Sequence, residues 1–189
     1  SLTGLPLFTL GATLPENRVS GWVEQFKSGP INVKDRTYSA GIPLVRRAVD
    51  GAPWLRPTKL LPIILELPDV AVGLSNASIT FNQGGMEAAA QFASLAQNFR
   101  VTTRNSAVFA TATAGNPCKV RMTINASTGM FSGAFNLSDT VSGKVLLRQG
   151  SFTGLLLSHR LAGAGYVLLP GLSPTVTTSP ILSGRVAVF

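Results

Sequence analysis

The chain has one cysteine, Cys118, and one histidine, His159, among 189 residues. A single cysteine excludes an internal disulfide. Cys118 is expected to be a small buried apolar side chain. The same scarcity removes most of the chemistry that covalent or metal-assisted catalysis needs. A triad requires a base beside its nucleophile. His159 stands in "LLLSHRLAG" at the end of an apolar run, and its neighbour Ser158 would point to the opposite face of a strand. No Gly-x-Ser-x-Gly elbow occurs. A zinc site lacks ligands, and there is no Asp-x-Asp run to suggest calcium. "FNQGG" and "GAGYVL" lack the further residues of a phosphate loop or a dinucleotide fingerprint, and read as turns or strand ends. No cofactor, no metal and no enzymatic activity are expected.

Acidic residues are also few. Eight Asp and Glu stand against sixteen Lys and Arg, a net charge of +8. From Leu74 onward the only acids are Glu87 and Asp139. Paired carboxylates are the remaining route to a hydrolase, and Glu24, two residues after Trp22 in "GWVEQF", would share a strand face with that indole. An acid and an aromatic on one face equally suit sugar binding or a plain surface patch. No run of basic residues exceeds Arg46–Arg47, so nucleic acid is a disfavoured partner. No apolar run approaches the ~18 residues of a membrane helix. The opening "SLTG" shows no signal-peptide pattern, which leaves export open on composition.

What is present is β structure. Apolar residues make up 45% and charged residues 13%, a balance that excludes disorder and suits one domain, or one domain of two halves. Val120, Met122 and Ile124 alternate with Lys119, Arg121 and Thr123, followed by the turn residues Asn125 to Gly129 and a second apolar run from Met130. That is the chemistry of a hairpin. "KVLLRQGSFTGLLLSHR" reads as one long bent strand, or two short ones around Gly150. Helix signals are confined to "GGMEAAAQFASLAQNF", where Ala88, Phe92, Leu95 and Phe99 fall on one side; a short helix is expected over 86–96.

A five-residue pattern recurs: apolar, Ser or Thr, Gly, any residue, apolar. It occurs at Val19–Val23, Phe131–Phe135, Val141–Val145, Phe152–Leu156 and Leu182–Val186. Glycine inside a strand is destabilising unless a bend or a close approach requires it. The recurrence therefore predicts an all-β fold: a strongly curled antiparallel barrel or barrel-like sandwich. "LFTLGATLPENRVSGWV" and "KVRMTINASTGMFSGAF" share a strand, turn, bent-strand order. This suggests a single β domain over 1–189 made of two related halves, about 1–70 and 75–189.

The strings "GWVEQF", "APWLRPTKLLP", "ITFNQGG", "NPCKVRMTINASTGMFSGAFN", "GSFTGLLL" and "GAGYVLL" together resemble the C-terminal β-rich modules of large secreted or surface proteins of environmental bacteria. The resemblance implies an extracellular or cell-surface location and an accessory, non-enzymatic binding or structural role. It transfers no catalytic residue. At "SGKVLLRQGSF" the chain departs from the pattern, where a more polar segment is expected.

Two alternatives go with that role. A carbohydrate or small ligand would be held at the barrel mouth by Trp54, Arg56, Trp22 and Glu24. Trp54, between two prolines in "GAPWLRPT", is the foremost candidate for contact, although an indole covering one end of the barrel explains it more simply. A polyanion would use the basic later part through Arg100, Arg104, Lys119 and Arg121. Partners are a glycan or another surface protein, and the sequence assigns no oligomeric state.

Overall fold

The computed structural model describes residues 6–9, 18–27, 36, 41–58, 63–84, 86, 94–112, 114–141, 143–172 and 179–189. The chain forms two compact units, Ser1–Pro53 and Trp54–Phe189. The boundary between Pro53 and Trp54 lies upstream of the one suggested by the sequence echo.

The first unit is an antiparallel sheet in the order β1-β2-β3, from β1 (Pro6–Thr9), β2 (Val19–Lys27) and β3 (Ile42–Gly51). The register between β2 and β3 shifts between Gln25 and Lys27, a bulge near one end of the pair.

The second unit holds all eight strands of the large antiparallel sheet. They are β4 (Ala77–Gln83), β5 (Ser94–Val101), β6 (Ala107–Val108), β7 (Arg121–Asn125), β8 (Met130–Val141), β9 (Lys144–Leu157), β10 (Ala162–Pro170) and β11 (Ile181–Val188). Their order is β6-β5-β4-β11-β10-β9-β8-β7. The terminal strands β6 and β7 lie beside each other, so the sheet curls into a nearly closed barrel. The all-β, strongly curled class is thus the observed one. Single 3-10 turns at Ile64–Glu66 and Ser158–Arg160 are the only helical elements among the described residues. None of those residues forms a helix long and apolar enough to cross a membrane.

The expected helix over 86–96 is corrected where it can be seen. Ser94, Leu95 and Ala96 belong to β5, while Gly85 and residues 87–93 lie outside the described residues. Leu95 and Phe99 are buried as expected, but so are Gln97 and Val101 between and beyond them. A spacing of four is shared by one turn of helix and two steps of strand. Pairing of Ala77–Asn82 with Ser94–Phe99 decides between them, overriding the helix preference of the Ala-rich stretch.

The hairpin read at residues 119–137 is present. Asn125 accepts hydrogen bonds at its side chain from the Ser127 and Thr128 amides, and Gly129 closes the turn with φ +72°. β9 is one continuous strand of fourteen residues through Gly150.

The recurrent glycines have a packing reason on β8 and β9. The register places Phe131 opposite Gly154, Gly133 opposite Phe152, and Phe135 opposite Gly150. "FSGAF" on one strand therefore meets "GTFSG", read backwards, on the other. Each ring lies over the glycine of its neighbour: a Cβ on Gly133, Gly150 or Gly154 would come within 3.0 Å of the facing ring. Phe152 and Phe135 then reach Phe81 on β4, with ring centroids 5.0 and 4.7 Å away. Phenylalanine fills the barrel interior because glycine leaves room for it. One of the five motifs departs from the pattern: Gly143 lies in the β8–β9 turn with φ +75°, so "VSGKV" is a turn.

At the far end of the same hairpin the interior becomes ionic. Arg148 Nε donates to Asp139 Oδ2 at 2.6 Å, and its Nη1 donates to the Pro170 carbonyl at 2.9 Å. Both side chains are essentially removed from solvent, at 0% and 4% exposure. The segment expected to be more polar thus places its polarity inside the barrel.

Candidate functional site

Among the described residues, aromatic and aliphatic side chains, Gln97 and the Arg148–Asp139 pair occupy the barrel's interior, and the groups exposed to a partner stand outside. The most organised set stands on one face of the three-stranded sheet. Trp22 and Glu24 are two residues apart on β2 and therefore share that face. The register sets Arg46 of β3 opposite Glu24 and Ala48 opposite Trp22. Arg46 Nη2 donates to Glu24 Oε1 at 2.7 Å and its Nε donates to the same oxygen at 3.0 Å. Its guanidinium carbon also lies 5.1 Å from the Trp22 ring centroid. Ala48, its neighbour on β3, is too small to cover the indole from that side. Trp22 is 46% exposed, and Phe26 and Leu44 farther along the sheet are 45% and 66% exposed.

This arrangement supplies an apolar plate with a fixed, oriented charge pair beside it. Such a surface stacks on the apolar face of a sugar ring or a flat side chain, while the carboxylate accepts and the guanidinium donates hydrogen bonds. It is poorly suited to paired-carboxylate hydrolysis. The other acid on this face, Asp50, stands opposite Ser20, four residues along the strand from the Glu24 row. That is about 13 Å of strand rise, beyond the ~6.5–9.5 Å of an inverting pair.

Of the four residues expected at a barrel mouth, Trp22 and Glu24 thus stand together in the first unit. Trp54 and Arg56 belong to the second. The Trp54 indole N–H donates to the Ala126 carbonyl at 2.9 Å, and its ring lies over Gly129, packed against the core. It braces the β7–β8 turn and is partly buried. Arg56 is exposed in the segment that follows. Arg46 was missed by sequence reasoning. Only the β2–β3 register reveals it, and nothing local distinguishes it from Arg47.

The four basic residues expected to meet a polyanion lie in two stretches, Arg100 and Arg104 at the end of β5 and just after it, Lys119 and Arg121 just before β7 and at its start. Arg100 is mostly buried, at 21% side-chain exposure, with Nη2 3.4 Å from Asp69 Oδ1. It borders a groove of about 570 Å³ with Leu74, Val108 and Phe109. Arg104 is exposed in the turn between β5 and β6, and Arg121 is exposed on β7. Lys119 adopts φ +49° just before β7 and borders a different groove, of about 450 Å³.

The reactive side chains are occupied or remote. Ser158 Oγ accepts a hydrogen bond from the Leu55 amide at 3.2 Å, and His159 lies in the adjoining 3-10 turn. Cys118 is buried, and that burial pushes its thiol above the ordinary range, away from the reactive thiolate. No cluster of three or more His, Cys, Asp or Glu able to hold a metal occurs among the described residues.

No family model, curated protein or solved structure matches the chain. The function therefore has to be argued from geometry.

Proposed function

We propose that this chain is a non-enzymatic binding module of a larger secreted or surface protein, and that it binds a glycan through the Trp22 face. One observation carries this reading: Trp22 is held half-exposed beside a guanidinium that is itself fixed by Glu24. A stacking plate with preset polar partners suits a ligand having one apolar face and a rim of hydroxyls. The extracellular location rests on the likeness of its strand motifs to exported bacterial modules. A filled barrel interior supports a surface-binding or structural role over a lumen that encloses a small molecule.

Native gel electrophoresis through soluble neutral polysaccharides tests the reading. The chain should be retarded by at least one of them, Trp22→Ala should abolish the retardation, and no reducing ends should be released. Equal retardation of both proteins, or steady release of reducing ends, would overturn it. Retention on heparin alone, lost at moderate salt, would replace it with polyanion binding.

A further inference from the structure

The β8–β9 hairpin outruns its neighbours. β7 pairs with Met130–Ala134 of β8, and among the described residues the last backbone hydrogen bond on that side is the Asn136 amide donating to the Cys118 carbonyl at 2.7 Å. Beyond it, β8 continues to Val141 with β9 as its single partner among the described residues. In a strand, successive backbone N–H and C=O groups point to alternate sides. Asn136 points towards β7, so Ser138 and Thr140 do too. Neither has a backbone partner on that side among the described residues. Their side chains are exposed. The chain before β7 turns away at Asn116–Lys119, with the Lys119 amide donating to the Asn116 carbonyl at 3.1 Å and the Asn116 side chain clasping the backbone of Val120. The groove of about 450 Å³ opens where these features meet, bordered by Pro117, Lys119, Asn136, Ser138 and Leu147.

We propose that this open edge of β8 is a strand-addition site for an extended acidic peptide. The unpaired groups of Ser138 and Thr140 supply the main-chain ladder. An added strand would direct alternate side chains over the outer face, where Leu147 of β9 is 69% exposed and offers an apolar contact. Charge selects the occupant. Lys119 borders the groove, Arg121 stands opposite Ala134 on the outer face and Lys144 opposite Val141 at the hairpin turn; all three are exposed and without an ion pair among the described residues. The one acid on this hairpin, Asp139, faces inward and is held by Arg148. A neutral or basic strand would leave that positive rim unmatched, whereas an acidic one neutralises it. The proposal goes beyond the glycan reading and is independent of the Trp22 face.

Fluorescence anisotropy with a labelled peptide of alternating valine and glutamate, added to the full chain, tests it. The peptide should bind. Methylating its alternate amides should abolish binding, since the ladder loses its donors. Ser138→Pro removes an edge N–H where proline is tolerated, and should weaken binding by about tenfold or more. Lys119→Glu should weaken it comparably, and Trp22→Ala should leave it unchanged. Amide exchange on the unaltered chain gives a readout that does not depend on a variant folding: Ser138 and Thr140 should become protected when the peptide is present. Failure of the peptide to bind, equal binding of the methylated peptide, or unchanged exchange at those two amides would overturn the proposal. Failure of the glycan reading alone would leave these outcomes as they are.

Discussion

The two units differ in whether their described residues enclose a core. In Trp54–Phe189 a cluster of large side chains goes inward, with Phe81, Phe131, Phe135 and Phe152 all at or below 3% exposure, while Val145, Leu147 and Tyr166 stand out from the same sheet. In Ser1–Pro53 no described side chain is fully buried, and Trp22, Phe26 and Leu44 stand out from the sheet. Both units are antiparallel and both carry the Ser-Gly motif, at Gly21 in one and at Gly133, Gly154 and Gly184 in the other. The difference lies in strand number. Eight strands curl far enough to enclose a core, and three do not. Stability is therefore concentrated in the barrel-like sheet, whose exposed apolar residues stand on a packed core, while those of the small sheet do not.

The sharpest way to break this contrast is to damage the phenylalanine cluster. Phe152→Ala should destabilise the chain by about 3–5 kcal/mol in urea unfolding, because the vacated space lies among other rings and over Gly133. Gly133→Ala should also be strongly destabilising, since the new methyl group collides with the Arg121 carbonyl, which cannot yield, as well as with the Phe152 ring. If either change were neutral, the barrel would not be the seat of stability.

The buried ion pair sharpens the contrast from the polar side. Asp139→Ala should cost about 3–5 kcal/mol, because it strands the Arg148 guanidinium in the interior. Replacing both partners with leucine and methionine should recover most of that loss, since two apolar side chains need no mutual neutralisation. Urea midpoints of the two variants, compared at one pH, check this.

A smaller effect is expected at the hairpin brace. Trp54→Phe keeps most of the packing but removes the donor to the Ala126 carbonyl, and should cost about 1 kcal/mol by the same measurement. Cys118 reports the same enclosure kinetically. Its thiol should react with a disulfide reagent far more slowly in the folded chain than in urea. The folded thiol is raised above the unfolded one, so the native state retains its proton to higher pH. The stability this contributes is fully present below the ordinary thiol range and is lost as pH rises from there through the raised folded value. Slower labelling in urea would contradict burial of Cys118.

The smallest stability effect belongs to the first unit. Trp22→Ala should change the unfolding free energy by less than about 1 kcal/mol, the scale of an exposed cation–π contact and an exposed ion pair. Its consequence should be confined to glycan retardation. A large loss of stability would show that the Trp22 face is a packing surface.

Much of the architecture could be read before any coordinates. Alternation in "KVRMTI", turn chemistry at Asn125–Gly129 and the repeated strand glycines all lead to a curled antiparallel sheet. Where the expectation failed, at residues 94–96, local preference and spacing were ambiguous between two periods, and strand pairing resolved them. The site was less legible. Trp22 and Glu24 could be assigned to one face from spacing alone, but Arg46 reaches them only through a register set across an intervening stretch of chain. The bracing role of Trp54 was not legible locally, because its partner, the Ala126 carbonyl, is 72 residues away.

By itself the sequence determined that strands would form, that glycine would let them curl, and that no internal disulfide would hold them. These follow from backbone sterics and composition, which act locally. The tertiary structure alone decided which ring covers which glycine, which charge is neutralised inside the barrel, and which stretch of β8 lacks a second strand partner among the described residues. Each of those depends on register between strands distant in sequence, and a slip of one residue would have turned the same side chains to the opposite face.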